Sequence, residues 1–218
     1  MYDEERLAPG AHILRTKRLG ASATSLPLLL LGDGSICQGS NRILDWTGLP
    51  GGDSEIEQRL EQATAPLIRQ CLYAGLLAAP HSGIRDVLLR GTSASQAAIV
   101  RLIWPLLRRM MVTGMNARPH LLPDLIARIE RELDWLDQVL AERGNHLMGQ
   151  EFGRADLTTA SLLAPLVLPQ MEPVKSLSAG IEWPSSLAPF LSSWLERPTL
   201  KWVRNVYESY RTPLSKAL

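Results

Sequence analysis

The fold class depends first on the stretch Leu28-Leu29-Leu30-Leu31-Gly32-Asp33-Gly34-Ser35-Ile36-Cys37. Its four leucines form a short apolar run, and the following Gly32-Asp33-Gly34 is a turn sequence that ends it. Residues 35–37 then provide a partner strand. The stretch predicts one β-hairpin, and residues 1–50 contain the only convincing strand material in the sequence.

The rest of the sequence predicts helices separated by proline and glycine. Ser40 is expected to be the N-cap of a short helix over residues 40–46, and a glycine-rich linker follows at residues 51–53. Further helices are expected over residues 54–77, 94–114, 121–143, 155–168, 187–196 and 199–211. Residues 121–143 show the most regular pattern, because their apolar side chains recur at steps of three and four. Pro66 and Pro105 predict a kink or break in the first two long helices.

Composition excludes several classes of protein. The 218 residues include 23 Lys and Arg against 22 Asp and Glu, whereas a nucleic-acid-binding protein normally has a basic excess. Two cysteines, Cys37 and Cys71, are too few for a disulfide framework or a thiolate metal cluster, and the histidines lack metal-ligand spacing. The acidic N-terminus is unlike a secretory signal, and the apolar runs are shorter than the roughly 20 residues that cross a bilayer. We therefore expect a cytoplasmic protein that binds no metal, nucleic acid or membrane.

Three motifs follow one another along the chain. The first comprises Ser25-Leu26-Pro27-Leu28-Leu29-Leu30, then Asp33-Gly34, then Gln38-Gly39-Ser40-Asn41-Arg42-Ile43-Leu44-Asp45-Trp46. The second is Leu147-Met148-Gly149-Gln150-Glu151-Phe152-Gly153-Arg154-Ala155-Asp156-Leu157-Thr158-Thr159-Ala160, and the third is Glu196-Arg197-Pro198-Thr199-Leu200-Lys201-Trp202. In order and spacing they resemble the glutathione transferase family: part of its thioredoxin-like domain, the start of the central helix of its helical domain, and its penultimate loop.

The resemblance implies a mostly α protein with two parts. Residues 1–52 would form an abbreviated thioredoxin-like α/β domain that binds glutathione, and residues 54–218 an all-helical C-terminal domain. By resemblance, Pro27 is a cis-proline and the backbone of Leu26 holds the cysteinyl part of glutathione. Ser40 would hold the γ-glutamyl carboxylate, and helix N-termini do favour anions.

Two positions depart from the pattern of the family. Gly39 stands directly before Ser40, where the family has Glu, Asp or Gln. Either Gln38 substitutes through a local bulge, or binding of the amino end of glutathione is weakened. Gly153 stands where the family has Ser or Thr, and Asp156 is expected to bind N–H groups at the helix start as a structural residue.

The largest departure precedes the hairpin. In the family, a strand, a helix and a second strand come before the cis-proline, and the helix start carries the Tyr, Ser or Cys that activates sulfur. Only 26 residues precede Pro27, and a βαβ unit needs about 30. Residues 11–14 are the candidate second strand, while Tyr2 and Ser22 lack the context of a catalytic hydroxyl. Either the encoded start lies downstream of the ancestral one, or the chain is a degenerate member.

The resemblance also places the pocket for a second substrate near residues 104–115. Trp104, Arg108, Met111 and Met115 would border a pocket for a small hydrophobic electrophile. The alternative is that the methionine-rich stripe is ordinary core packing, in which methionine fills gaps.

The sequence therefore predicts a glutathione transferase-like protein, and we favour an enzyme over a binding module. With glutathione as co-substrate, it would conjugate or reduce small hydrophobic electrophiles through the glutathione thiolate, which is a detoxification reaction. The resemblance to the family also implies a homodimer. The alternative is a non-catalytic module that binds a partner protein, and an unrelated helical bundle would require all three motif matches to be coincidental.

Overall fold

A computed structural model describes residues 3–49, 55–148, 151–167 and 179–211. These residues are mostly α-helical, with one two-stranded antiparallel sheet. The expected mostly α class is confirmed. No helix in these ranges has the length and apolar character needed to cross a membrane. The predicted linker, residues 51–53, and Ser54, the first residue of the helix predicted over residues 54–77, lie outside the described residues.

The predicted hairpin is confirmed. Strand β1 spans Leu28–Leu30 and strand β2 spans Ile36–Gln38, and Leu29 pairs with Cys37 in antiparallel register. Asp33 shapes the turn, because its carboxylate accepts hydrogen bonds from the amide and the hydroxyl of Ser35 at 2.9 and 2.6 Å. These bonds, that of the hydroxyl above all, lower the pKa of Asp33.

Helix α1, Ala11–Arg18, takes the place of the strand that we predicted at residues 11–14, and that prediction was wrong. Gly10 starts the helix, and the buried Thr16 donates its hydroxyl hydrogen to the carbonyl of His12 at 2.8 Å. Four residues were too short a segment to separate a strand period from a helix period. Helix α2 follows the hairpin at Ser40–Thr47.

The chain divides into two compact units. The first contains residues 1–50 together with residues 85–107, and the second contains residues 51–84 and 108–218. In the first unit, Ala8, Leu89, Ala97 and Val100 form a buried cluster against which Trp104 packs. The amide of Ala8 also donates to the side-chain oxygen of Gln96 at 2.9 Å. The sequence did not predict that residues 85–107 join the N-terminal segment.

The regular elements in the described part of the second unit are helices, joined by loops and turns. The sequence predicted most of these helices to within one or two residues. The helices with residues in this unit are α3 Glu55–Arg59, α4 Ala65–Leu76, α5 Ile84–Leu88, α6 Ala94–Gly114, α7 Leu122–Arg143, α8 Arg154–Val167, α9 Ala188–Trp194 and α10 Pro198–Tyr210. Helices α5 and α6 are shared with the first unit, which contains residues 85–107. Helix α8 is buried on most sides, as its apolar sequence predicted.

The two internal prolines have different outcomes. A π-helical turn, Leu60–Thr64, lies between α3 and α4 just before Ala65 and Pro66, so the α-helical bonding changes there while the backbone stays helical, and the predicted break does not occur. Proline lacks the N–H that an α-helical bond requires, and a π turn changes the bonding pattern at that point. Pro105 lies inside α6 without ending it. Its position is exposed, so water can bond the carbonyl that the missing N–H leaves free.

Candidate functional site

The hairpin register brings the two halves of the first motif together. Leu28 pairs with Gln38, and the amide of Gly39 donates to the carbonyl of Pro27 at 2.9 Å. The Leu26–Pro27 peptide bond is cis, as the resemblance implies. Leu26 precedes Pro27 and Ser40 follows Gly39, so both residues lie next to this bonded pair. One end of the hairpin therefore presents the backbone of Leu26 beside the start of α2.

The backbone of Leu26 is available at this end of the hairpin. The residue is 49% exposed. Across the described ranges, neither its amide nor its carbonyl forms a hydrogen bond. A donor and an acceptor left open at the end of a strand are the groups that an extended peptide pairs with when it binds by strand addition.

Helix α2 begins without a side-chain cap. Gly39 is its N-cap and Ser40 is its first helical residue, which corrects our assignment of Ser40 as the cap. Gly39 adopts φ of 93°, a conformation that glycine tolerates without strain. Ser40 is exposed, and no described residue bonds its hydroxyl. Because the first turn holds no acidic residue, the positive end of the helix dipole there favours an anion.

Gln38 is occupied within the protein. Its side-chain nitrogen donates to the carbonyls of Ala23 and Ser25, both at 2.8 Å. Its side-chain oxygen accepts from the amide of Ala23 at 3.2 Å and faces the hydroxyl of Ser22 at 3.5 Å. Gln38 therefore fastens residues 22–25 to strand β2. A direct contact with glutathione stays a prediction for this residue.

The described residues suggest no group that activates sulfur. Tyr2 lies outside them, and the Ser22 hydroxyl is directed at Gln38. Helix α1, which precedes the hairpin, begins with Gly10, Ala11 and His12 rather than a hydroxyl or thiol. Burial raises the pKa of the Cys71 thiol to about 12, so this cysteine is a protonated core residue at neutral pH.

The four residues predicted to border an electrophile pocket are divided between the two units. Trp104 packs against the buried cluster of the first unit. In the second unit, the exposed Arg108 donates to the carbonyl of Leu77, and Met111 and Met115 are half-buried. The partial burial of these methionines fits the packing alternative, and the pocket itself stays a prediction.

The second motif forms the cap that the sequence predicted. Asp156 is 1% exposed. Its carboxylate accepts the amide of Gly153 at 2.9 Å and the amide of Leu147 at 2.8 Å. Asp156 therefore holds both the start of α8 and the segment that precedes it. Its predicted structural role is confirmed.

The third motif is held by a residue that sequence reasoning missed. The Asp137 carboxylate on α7 accepts the amide of Thr199 at 2.8 Å and also bonds its hydroxyl. The guanidinium of Arg197 donates to the same carboxylate at 2.7 and 2.9 Å. Asp137 thereby caps α10 from a neighbouring helix. Only its acidic character pointed to this role, because the contact joins residues about 60 positions apart.

A further cavity in the second unit was also not foreseen. It has a volume of about 150 Å³ and lies between α8 and α10. Phe152 and Tyr210 stack at one side with ring centroids 4.1 Å apart, and Tyr207 and Ser161 lie beside them. Burial raises the pKa of Tyr207. The cavity is lined by residues from separate parts of the sequence, so no local pattern signals it.

Comparisons with protein families, with curated proteins and with solved structures give no match to this chain.

Proposed function

We propose that this chain is a glutathione transferase-like protein that binds glutathione at the end of the hairpin formed by Leu26, Pro27 and Ser40. The observation that carries the proposal is the backbone of Leu26, unbonded in the described part of the chain, next to Pro27, whose carbonyl accepts the amide of Gly39 at the start of α2. Each feature suits one part of the same small peptide.

Glutathione is an extended peptide with a carboxylate at its γ-glutamyl end. Its cysteinyl backbone would pair with the amide and carbonyl of Leu26 in the manner of an added strand. Its γ-glutamyl carboxylate would accept a hydrogen bond from the Ser40 hydroxyl at the positive end of α2. Gln38 would act indirectly, because it holds residues 22–25 beside this site.

In the reaction that we propose, the glutathione sulfur attacks as the thiolate. A sulfur–carbon bond forms with a small hydrophobic electrophile, the thiol proton passes to solvent, and the substrate releases a leaving group or accepts the electron pair. An ordinary thiol has a pKa of about 8.5, so only a small fraction is thiolate at neutral pH. Without an activating group, the rate would stay low.

The second candidate is a non-catalytic module of the same kind that binds a partner protein. The observation that favours it is the start of α1, the described helix before the hairpin. None of the residues there, Gly10, Ala11 and His12, carries a hydroxyl or a thiol. This candidate needs neither a sulfur-activating residue nor an electrophile pocket.

Calorimetric titration of the full chain with reduced glutathione tests the proposal. We expect saturable binding, weakened on the order of fivefold by Ser40→Ala, which is about 1 kcal/mol for one lost hydrogen bond. Thr47→Ala is the matched control, because Thr47 ends the same helix and, among the described residues, its hydroxyl donates to the carbonyl of Leu44. It should bind as the unsubstituted protein does.

The outcomes separate the two candidates. No binding at millimolar glutathione refutes the glutathione proposal and leaves the partner-binding module. Equal weakening by Ser40→Ala and Thr47→Ala refutes the assigned site. If binding is found, mixing with a chlorinated nitroaromatic compound tests catalysis, because release of chloride above the rate with free glutathione distinguishes an enzyme from a binding protein.

A further inference from the structure

The cavity between α8 and α10 is lined by one face of each helix. It has a volume of about 150 Å³ and lies wholly within the second unit. Leu157, Ala160 and Ser161 line it from α8, and the separation of three and four residues sets them on one face of that helix. Because Ala160 and Ser161 have small side chains, they leave the space opposite α10 unfilled.

Aromatic side chains form the other wall of this cavity. Tyr207 and Tyr210 line it from α10, and Phe152 lines it from the segment before α8. The rings of Phe152 and Tyr210 are stacked, with their planes 19° from parallel. Tyr207 is buried, whereas Tyr210 and Ser161 are exposed. The cavity therefore has a closed floor and an opening through which a small ligand can enter.

The polar groups of the cavity centre on Tyr207. Its hydroxyl is hydrogen-bonded to that of Ser161, and burial raises its pKa although this bond and the charge of Arg211 act to lower it. The guanidinium carbon of Arg211 lies 5.8 Å from the centre of the Tyr207 ring. No described residue that lines the cavity is acidic. An apolar, aromatic lining with few polar groups and one positive charge is typical of a site for a small amphipathic anion.

We propose that this cavity binds a small aromatic monocarboxylate with a single ring, such as benzoate. The ring would pack against Phe152, Tyr207 and Tyr210, and the carboxylate would bind the guanidinium of Arg211. This inference does not depend on the glutathione proposal. None of these residues belongs to the electrophile pocket predicted near residues 104–115.

The size of the cavity favours a single ring. An apolar cavity of about 150 Å³ accommodates one molecule of benzene. A ligand with two fused rings would have to displace the side chains that line the cavity. We therefore expect the affinity to fall when a second ring is added.

The charge at the site favours a carboxylate over a phosphate. Arg211 is the C-cap residue of α10, and the C-terminal end of a helix carries a partial negative charge. A guanidinium can bind a carboxylate through two N–H groups, and its five donors leave others for contacts within the chain. One guanidinium balances the single charge of a carboxylate, whereas the helix end would repel the second charge of a phosphate.

Calorimetric titration of the full chain with sodium benzoate tests the proposal. We expect saturable binding with a dissociation constant on the order of 0.1 mM, because so small a ligand makes few contacts. Benzyl alcohol has the same ring without the charge. It should bind about tenfold more weakly, because it cannot form a charged pair with Arg211.

Substitutions locate the site. Arg211→Gln should weaken benzoate binding about tenfold and leave the binding of benzyl alcohol unchanged. Arg204→Gln is the matched control, because Arg204 is an exposed arginine of the same helix that does not line the cavity. Ser161→Leu should abolish the binding of both compounds, because leucine would fill the cavity. Circular dichroism checks that this variant folds, and the two arginine variants decide the question if it does not.

The contrary outcomes are distinct. The absence of saturable binding at millimolar benzoate overturns the proposal, as does equal weakening by Arg211→Gln and Arg204→Gln. Equal affinities for benzoate and benzyl alcohol overturn the assigned role of Arg211. Ser40→Ala should leave benzoate binding unchanged, and a loss of binding in that variant would place benzoate at the start of α2 instead.

Discussion

Three helix starts in this protein are built in two different ways. At α8, the buried Asp156 accepts two backbone amides, and at α10 Asp137 accepts the amide of Thr199. At α2, Gly39 is the cap and no side-chain capping bond is formed. The first two starts are satisfied from within the protein and serve its stability. The third has no capping side chain, and a helix start of that kind can bind an anion.

The same contrast holds for the backbone that precedes each helix. Leu147, before α8, donates its amide to Asp156. Leu26, opposite the start of α2, has neither its amide nor its carbonyl bonded in the described part of the chain. Buried polar groups are almost always paired within the protein, whereas exposed ones can stay unpaired and bond a ligand. The contrast therefore separates structural residues from candidate binding residues within related motifs.

The largest effect is expected from Asp156→Ala, which removes the acceptor at the start of α8. The substitution leaves two backbone amides without an acceptor in a buried setting, so we expect the free energy of unfolding to fall by about 3 kcal/mol. Urea unfolding measures it, and Asp124→Ala, which removes an exposed carboxylate, should cost less than about 0.5 kcal/mol. Asp156→Asn retains one acceptor and provides an intermediate value if the alanine variant does not fold. Equal losses for Asp156→Ala and Asp124→Ala would remove the structural role.

A smaller effect is expected from Gln38→Ala. The loss of its bonds to the carbonyls of Ala23 and Ser25 should cost about 1 kcal/mol, because water can reach these exposed residues. Gln138→Ala, on the exposed side of α7, is the control and should change the urea midpoint little. If Gln38→Ala weakens glutathione binding while stability is unchanged, Gln38 contacts the ligand directly, contrary to the indirect role that we assign.

The smallest effect concerns acid stability at the π turn. Burial acts to raise the pKa of Glu132, but hydrogen bonds from Arg59 and Thr64 and the charges of Arg59 and Arg128 lower it overall below the ordinary 4.5. A carboxyl with a lowered pKa contributes stability above its ordinary pKa, and this is lost as pH falls through the folded value. The urea midpoint should therefore fall less between pH 6 and pH 3 in Glu132→Gln than in the unsubstituted chain. Glu208→Gln should not reproduce this change.

The sequence predicted those parts of the fold that local patterns determine. Apolar residues that recur at steps of three and four positions identified α7. The run of leucines and the glycine turn after it identified the hairpin. The strand predicted at residues 11–14 was wrong, because four residues fit both the strand period and the helix period. The joining of residues 85–107 to the N-terminal segment depends on contacts between Ala8 and residues almost 90 positions away, which no local pattern records.

The candidate site was predicted unevenly for a related reason. The first motif led us to predict Leu26, Pro27 and Ser40 as site residues, and the hairpin brings Pro27 to Gly39, the residue before Ser40. The internal bonds of Gln38 were not foreseen, because they depend on the path of the loop over residues 22–25. Asp137 was missed because its partners, Arg197 and Thr199, lie on a different element.

Backbone amide NMR shifts during titration with reduced glutathione test the central claim most directly. We predict saturable shifts at Leu26 and at the first amides of α2, with Leu147 and Gly153 unmoved because Asp156 already binds them. Millimolar glutathione that leaves Leu26 and the start of α2 unshifted, or that shifts a different part of the chain instead, would contradict the account.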